Sequence, residues 1–467
     1  MSRPLTALDF GRLDAESDPN LLDYFLETGV IRGLVARGNH LVVGRKGTGK
    51  TALFRHLAAN LKSSEVVELD LMEYVFELHK GIVDKGVPQS LAYTTSWKLL
   101  IYTAMYLKLR GRMISGDVKK GDEALAKIGL GPNSAGLKGI VHWFKRVKRM
   151  DLPALEGIFS GGGLELDSPE QGFLSMETAE AIDILESLLV EAIRTTPTTV
   201  LIDRLDDAWD GSDSSRNIIG GAIKATRDVY IALGRPSPAP VISFLRTDLW
   251  EKVSFNDKNK MSQDTVYLDW SEDQLSDVVD LRIQRSVESP AGRGWEEAFT
   301  TAEMRNRASA KKYILKRTLG RPRDAIAFAI YSAQERSDES LPIAPEDIYN
   351  AESRYSKHVL DELKDELDYH VADFTAIVNS LKALRTRSFT IDRWKEVTAA
   401  NNLSEGQAMS ALEQLFEASA VGMHSTGGST GGSRTVYRYQ DRHLRSLESE
   451  THQVHLALVK ELGLRDR

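Results

Sequence analysis

The chain has 467 residues, 42% apolar and 27% charged, with a net charge of −7 and no cysteine. That length suits two or three domains with sizeable cores. The acidic balance excludes a globally polybasic nucleic-acid binder, so any such contact must be local. The missing cysteines exclude disulfides and thiolate metal sites and suit a reducing cytosol. No apolar run reaches the length of a membrane span and the N-terminus lacks a signal-peptide core, so the expected location is cytoplasmic with no membrane partner.

Residues 1 to about 38 read as a helical lead-in with Leu21, Leu22, Tyr24, Phe25, Val30 and Ile31 as its apolar positions. Val30 and Ile31 are either base contacts or simple core. His40 to Val43 then reads as a buried strand, and Gly44-Arg-Lys-Gly-Thr-Gly-Lys-Thr51 follows as a complete G-x-x-x-x-G-K-[ST] loop. Ala52 to Leu61 reads as a helix with Leu53, Leu57 and Leu61 on one face. Strand, glycine loop and helix together make a phosphate cradle. Gly47 and Gly49 let backbone amides turn toward phosphate oxygens, and the helix N-terminus adds its partial positive charge. Lys50 is expected to reach the β- and γ-phosphates and the Thr51 hydroxyl to ligate Mg²⁺. The candidate ligand contacts are Gly44, Lys46, Gly47, Thr48, Gly49, Lys50, Thr51 and Ala52, with ATP and Mg²⁺ as cofactors.

A second strand is expected at Val66 to Leu71. Residues 87–195 read as a mostly helical insertion, strongly apolar from Ser96 to Leu109. Within it, Gly136 to Met150 carries Lys138, Lys145, Arg146, Lys148 and Arg149 without an acid, beside Trp143 and Phe144. That run is either a solvated amphipathic helix or a surface for nucleic acid or an acidic partner. Ser160-Gly-Gly-Gly163 reads as a loop. A third strand, Thr198 to Ile202, ends in Asp203, where Mg²⁺ would find a second anchor. The fourth strand, Val241 to Leu245, runs into Arg246-Thr-Asp248, and a fifth is expected at Thr265 to Leu268. Arg246 or Thr247 would touch the γ-phosphate or the attacking water, Arg246 would reach a neighbouring subunit, or Arg246 pairs with Asp248 at the strand end. Short apolar strands separated by helices argue for a parallel sheet covered on both faces.

Helical pattern fills about 271–350, over Ser271 to Ser286, Ala302 to Leu319 and Arg323 to Glu335. Gly320-Arg-Pro-Arg-Asp324 opens the last of these with Pro322 in the first turn. A cation there faces the positive end of the helix dipole, which is sensible if a phosphate lies between them, so Arg323, ahead of Arg321, would sense the γ-phosphate; Asp324 is the alternative counter-charge. An acidic helix, Ala351 to Asp368, precedes a compact last module. It reads helix Phe374 to Leu384, helix Ile391 to Ala400, helix Ser404 to Ala418, strand Val421 to His424, a glycine-serine loop, strand Thr435 to Tyr439, and a final helix to about Leu462. Three helices and a two-stranded wing are the order of a winged-helix domain. The third helix carries Glu405, Glu413 and Glu417 and no lysine or arginine, which opposes a groove-reading role. Arg434, Arg438, Arg442 and Arg445 in the wing region keep backbone contact open.

In this order, the glycine loop, Val200 to Asp207, Phe244 to Asp248 and Gly320 to Asp324 resemble AAA+ and STAND-type ATPases. The similarity is to the origin-recognition/Cdc6-like branch and to bacterial P-loop ATPases often found in antiviral defence loci, and it covers about residues 20–70 and 195–345. It implies an α/β fold: a parallel-sheet P-loop NTPase core over 1–270 with the helical insertion at 87–195, a helical lid over 271–350, and an acidic helix, winged-helix domain and C-terminal helix over 351–467. It implies phosphate and Mg²⁺ roles for Lys50 and Thr51, the Walker B metal role for Asp203, the first sensor position near Arg246 and the second at Arg323. One departure matters. The glutamate that usually follows the Walker B aspartate is replaced by Arg204, so the water-positioning role falls to Asp206 or Asp207, or hydrolysis is slow. No arginine finger is assigned by motif; Arg216, Arg227 and Arg246 are the candidates for a contact in trans, which requires a homo-oligomer. The leading expectation is an ATP-dependent switch that assembles with or controls a separate effector protein. The alternatives are a DNA-binding loader or initiator, using Gly136 to Met150 and the wing, and a non-hydrolysing scaffold.

Overall fold

The computed structural model describes residues 3–71, 89–128, 130, 176–255, 258–337, 340–425, 432–445 and 450–465; the basic run 136–150 and the glycine loop 160–163 lie outside them. The chain forms two compact units. One comprises Glu27–Gly44 and Leu53–Leu268, the other Met1–Leu26, Arg45–Ala52 and Asp269–Arg467.

The first unit is built on a five-stranded sheet. Its strands are β1 (Leu41–Gly44), β2 (Glu65–Asp70), β3 (Thr198–Asp203), β4 (Val241–Arg246) and β5 (Thr265–Tyr267), in the order β2-β3-β4-β1-β5. Every pairing is parallel, as the apolar runs predicted. β1 and β3 are buried at every position, because helices cover both faces of a parallel sheet. The helix α1 (Gly29–Arg37) leads in; the Thr28 side chain accepts from the Ile31 amide, and Gly38 ends the helix at φ 66°. After the glycine loop comes α2 (Lys50–Asn60), whose Phe54 sits edge-on to Phe244 of β4 at 6.0 Å.

The described part of the insertion is helical: α3 (Gln89–Leu109), α4 (Ser115–Lys127) and α5 (Met176–Thr195). α3 buries Trp97, Leu100, Ile101, Tyr102, Met105 and Tyr106, so it is enclosed rather than amphipathic. It packs on α6 (Asp213–Ala232), where a side chain on Gly221 would come within 2.6 Å of Tyr93 Cβ. The short α7 (Thr247–Lys252) continues β4.

The second unit holds α8 (Glu272–Val287), α9 (Gly294–Ala298), α10 (Ala310–Leu315), α11 (Pro322–Gln334) and α12 (Pro345–Leu367). Ser271 and Gln274 form a capping box at the start of α8. Phe328 of α11 and Tyr355 of α12 stack face to face, 4.3 Å apart. Three expectations are corrected here. The helix expected over 302–319 shortens to α10, because Asn306 and Arg307 take left-handed φ values of 61° and 53°. The boundary expected at 350 falls inside α12, which Pro345 starts. Of the helical lead-in expected over 1 to about 38, Gly29–Arg37 is helix, while the described residues 3–26 form two 3-10 turns, Leu5–Ala7 and Leu21–Tyr24.

The C-terminal module follows as α13 (Phe374–Ala383), β6 (Ser388–Thr390), α14 (Ile391–Ala399), α15 (Glu405–Glu417), β7 (Val421–Ser425), β8 (Arg434–Val436), β9 (Thr451–Val454) and α16 (Val459–Leu462). Its sheet is antiparallel in the order β6-β9-β7-β8. The long final helix expected up to Leu462 is therefore mostly strand and turn, because Thr451–Val454 finds partners on both sides in β6 and β7. Trp394 anchors the helices, fully buried with its indole N–H donated to the Ala408 carbonyl at 2.7 Å.

Candidate nucleotide-binding site

The glycine loop closes on one carbonyl. The Thr48 amide (3.2 Å), the Thr48 hydroxyl (2.8 Å) and Lys50 Nζ (3.3 Å) all donate to the Arg45 oxygen. Gly47 and Gly49 take φ values of 81° and 92°, where a side chain would strain the backbone. The next three carbonyls are each held from outside the loop, within the same unit. Arg321 Nη1 donates to the Lys46 oxygen (3.4 Å), the Arg323 amide to Gly47 (3.4 Å) and Trp270 Nε1 to Thr48 (2.9 Å). A Cβ on Gly47 would lie 3.2 Å from Arg323 Cβ, so the loop and the first turn of α11 are in close contact.

Besides Lys50, four cations lie in or against this loop, and each has a different fate. Arg321 is 1% exposed and paired with Asp324 (3.0 Å) and Glu366 (3.3 Å); burial opposes its charge, but those two carboxylates hold its pKa above the ordinary arginine value. Asp324 also accepts from the Leu319 amide at 2.8 Å, so it is the counter-charge foreseen as the alternative at this helix start. Arg323 is half-buried and paired with Glu362 at 3.0 Å. Lys46 turns its ammonium to Glu362 (3.5 Å) and Asp365 (3.2 Å), which leaves its backbone as its contribution to a phosphate cradle. Arg45, an unconstrained position in the motif, inserts among α11 and module residues. It donates to the Leu319 oxygen, contacts the Ala418 oxygen at 3.5 Å and lies over the Tyr439 ring at 5.5 Å. Burial and Arg321 pull its pKa down to about 10, so it remains charged at neutral pH.

In the other unit, the strand ends gather the remaining candidates. Parallel pairing sets Gly44 level with Arg246 and Asp203 level with Asp70. β3 and β1 flank β4, so their carboxyl ends point the same way with one strand between them, at a spacing of roughly 5 Å per strand. Asp203 is buried at the end of β3. Arg204 adopts a left-handed φ of 65° and its guanidinium reaches Asp70 at 3.1 Å. Arg204 is thus engaged in an ion pair with the neighbouring strand. Asp206 is half-exposed and Asp207 exposed on the 3-10 turn Leu205–Ala208. Arg246 forms a two-pronged pair with Asp248 (2.8 and 3.0 Å), the strand-end pair among its three expected roles. Arg216 is exposed and paired with Asp213 at 2.7 Å, and Arg227 is half-buried on α6. Of the base-contact pair, Ile31 is core while Val30 is exposed. Back in the loop's own unit, Thr51 and Ala52 occupy the first turn of α2, half-exposed.

Sequence reasoning missed Asp70, Glu362 and Glu366. Asp70 carried a usable signal, since its strand ends in an acid as β3 does. Glu362, Asp365 and Glu366 are spaced i, i+3, i+4, which puts them on one helix face. In the module, Glu405 pairs with Lys395 (2.6 Å) and Glu417 with Arg438 (2.7 Å), while Arg442 pairs with Asp269; Arg434 and Arg445 are exposed. Among the described residues, no cluster of three or more His, Asp or Glu side chains could hold a metal ion by itself, and no helix is long and apolar enough to cross a membrane.

Comparison with known proteins gives the following likenesses among others. The family described as FunZ-associated C-terminal helical domain matches residues 273–364, which run from the start of α8 into α12. A protein of Escherichia coli K12, described as a putative transposon gamma-delta 80.3 kDa protein, is 23% identical over 443 residues. That alignment takes in 88% of this chain but 60% of the other, so the chain spans under two thirds of that relative's length. The crystal structure of Cdc6p from Pyrobaculum aerophilum aligns over 93% of this chain and 89% of its own, at 15% identity and a TM-score of 0.30, too loose a superposition to argue from.

Proposed function

We propose that the chain is an ATP-binding switch of the AAA+/STAND kind, hydrolysing slowly, whose C-terminal module is of winged-helix type and faces a protein partner. The observation that carries this reading is the glycine loop itself: two left-handed glycines and three carbonyls held from outside by Arg321, Arg323 and Trp270. Such a loop turns backbone amides toward an anion, and Lys50 supplies the charge beside them. By motif, the Thr51 hydroxyl and the ligand's phosphates are the oxygen donors that would suit Mg²⁺, a hard ion, and the sequence assigns Asp203 the second anchor. When bound, the metal neutralises phosphate charge. Arg204 supports slow turnover, because an arginine cannot accept a proton from water and this one is turned to Asp70. Asp206 and Asp207 are the carboxylates left to orient the attacking water. The pairing of Glu405, Glu417, Arg438 and Arg442 within the chain's own unit supports a protein-facing module over a DNA-reading one. A homo-oligomer that controls a separate effector, with a role in antiviral defence, completes the proposal.

Titration calorimetry with ATP and Mg²⁺, beside phosphate release with and without duplex DNA, tests it. Wild type should bind, and Asp203→Ala should lose about 10- to 100-fold of Mg²⁺-dependent affinity or turnover. Sizing with a non-hydrolysable analogue should show assembly. No heat from ATP or GTP with folded protein overturns the reading, and DNA-stimulated turnover would favour a loader instead.

A further inference from the structure

Glu362 stands where the two outward cations of the loop region meet. One of its oxygens, Oε2, lies 3.0 Å from Arg323 Nη1 and 3.5 Å from Lys46 Nζ. Asp365, one turn along α12, adds a second contact to Lys46 at 3.2 Å. Arg321 cannot exchange with Arg323 in this arrangement, because it is enclosed and held by Asp324 and Glu366. The backbone of Arg323 is likewise fixed, its amide on the Gly47 oxygen. Only its side chain is left to choose a partner, and the partner it has is a carboxylate. Burial alone would raise the Glu362 pKa, but Arg323 and Lys46 hold it below the usual carboxylate range, so it carries its charge at neutral pH.

A carboxylate oxygen bridging an arginine and a lysine makes the same contacts that a terminal phosphate oxygen would make. We infer that Glu362 competes with the γ-phosphate for Arg323 and thereby sets how strongly the site prefers a nucleoside triphosphate over a diphosphate. The inference rests on the proposed nucleotide reading, with Arg323 facing the γ-phosphate. A diphosphate leaves the Arg323–Glu362 pair intact. A triphosphate must draw Arg323 away, so part of its extra interaction is offset by the broken pair. A partly exposed pair of this kind is worth about 1 kcal/mol or less, which corresponds to about a fivefold change in affinity.

The test is calorimetric titration of the full chain with ADP and with a non-hydrolysable ATP analogue, both with Mg²⁺. Glu362→Gln should raise the triphosphate-to-diphosphate affinity ratio about two- to fivefold. Glu362→Asp, which keeps the charge but withdraws it by one methylene, should move the ratio the same way and covers the case of an unfolded glutamine variant. Arg323→Gln should lower the ratio, and adding Glu362→Gln to it should change nothing further. An unchanged ratio in both Glu362 variants, equal tightening of both nucleotides, or a gain that persists without Arg323 overturns the inference while leaving nucleotide binding intact. A folded wild type that binds neither ligand overturns both readings together.

Discussion

Replacing Arg45 with methionine keeps most of the side chain's volume and removes its guanidinium. Three contacts go with it: the hydrogen bond to the Leu319 oxygen, the longer approach to Ala418 and the position over Tyr439. A hydrogen bond from a charged donor contributes about 1.5–3 kcal/mol, and a desolvated cation over an aromatic ring adds about 0.5–2 kcal/mol. Against this, the variant is relieved of burying a charge beside Arg321, which already lowers the Arg45 pKa. The net loss should be about 2–3 kcal/mol, felt where the loop meets its own unit. Hydrogen exchange read by mass spectrometry resolves that location. Peptides containing Leu319–Arg323 and Ala418–Tyr439 should exchange about 30- to 150-fold faster, while those of β3 and β4 should not change. Unchanged protection at Leu319 and Ala418, or a uniform loss across both units, would refute the idea that this position of the phosphate loop is an anchor.

Arg321→Met should leave Asp324 and Glu366 as buried acids without their shared cation, a change that costs about 3–5 kcal/mol. A thermal melt should fall by roughly 10 °C for a unit of this size, with Arg321→Lys recovering part of it. His40 gives a pH dependence. It is fully buried against Tyr230 (4.6 Å between rings), neither ring nitrogen has a hydrogen-bond partner among the described residues, and burial pushes its pKa down to about 4. The unfolded chain takes up the proton first, near pH 6.5, so the stabilising effect is complete above that value and is lost as pH falls toward 4. The loss is about 3 kcal/mol, and urea unfolding of His40→Leu against wild type between pH 7 and 4 should isolate it; parallel curves for the two proteins would count against it.

The central strands β1, β3 and β4 were readable because they are buried along nearly their whole length, which leaves continuous apolar runs such as Val200-Leu-Ile202. β9 was not. Thr451-His-Gln-Val454 has no apolar run and no alternation strong enough to notice, and it becomes a strand only through β6 and β7, whose paired residues lie 29 to 65 positions upstream. The loop and its motif lysine were legible from spacing alone. The carboxylates of α12 were not, since an acidic helix face reads as solvated until Lys46, Arg321 and Arg323 are placed against it. Arg45 escaped for a related reason: the motif leaves its identity free, and only the packing gives it a task. For Arg246 the sequence left three roles open, and the strand-end pair with Asp248, two residues on, was legible from spacing alone.

A trans peptide sends its C=O and its N–H in opposite directions. The carbonyls of Lys46 and Thr48 are gripped by Arg321 and Trp270, so the amides of Gly47 and Gly49 are aimed the other way before any anion arrives. The loop is preorganised, and under the proposed nucleotide reading an incoming phosphate need not supply the entropy of ordering it. The same grip works in reverse: any movement that a ligand imposes on those two peptide planes must be transmitted to the side chains holding them from behind.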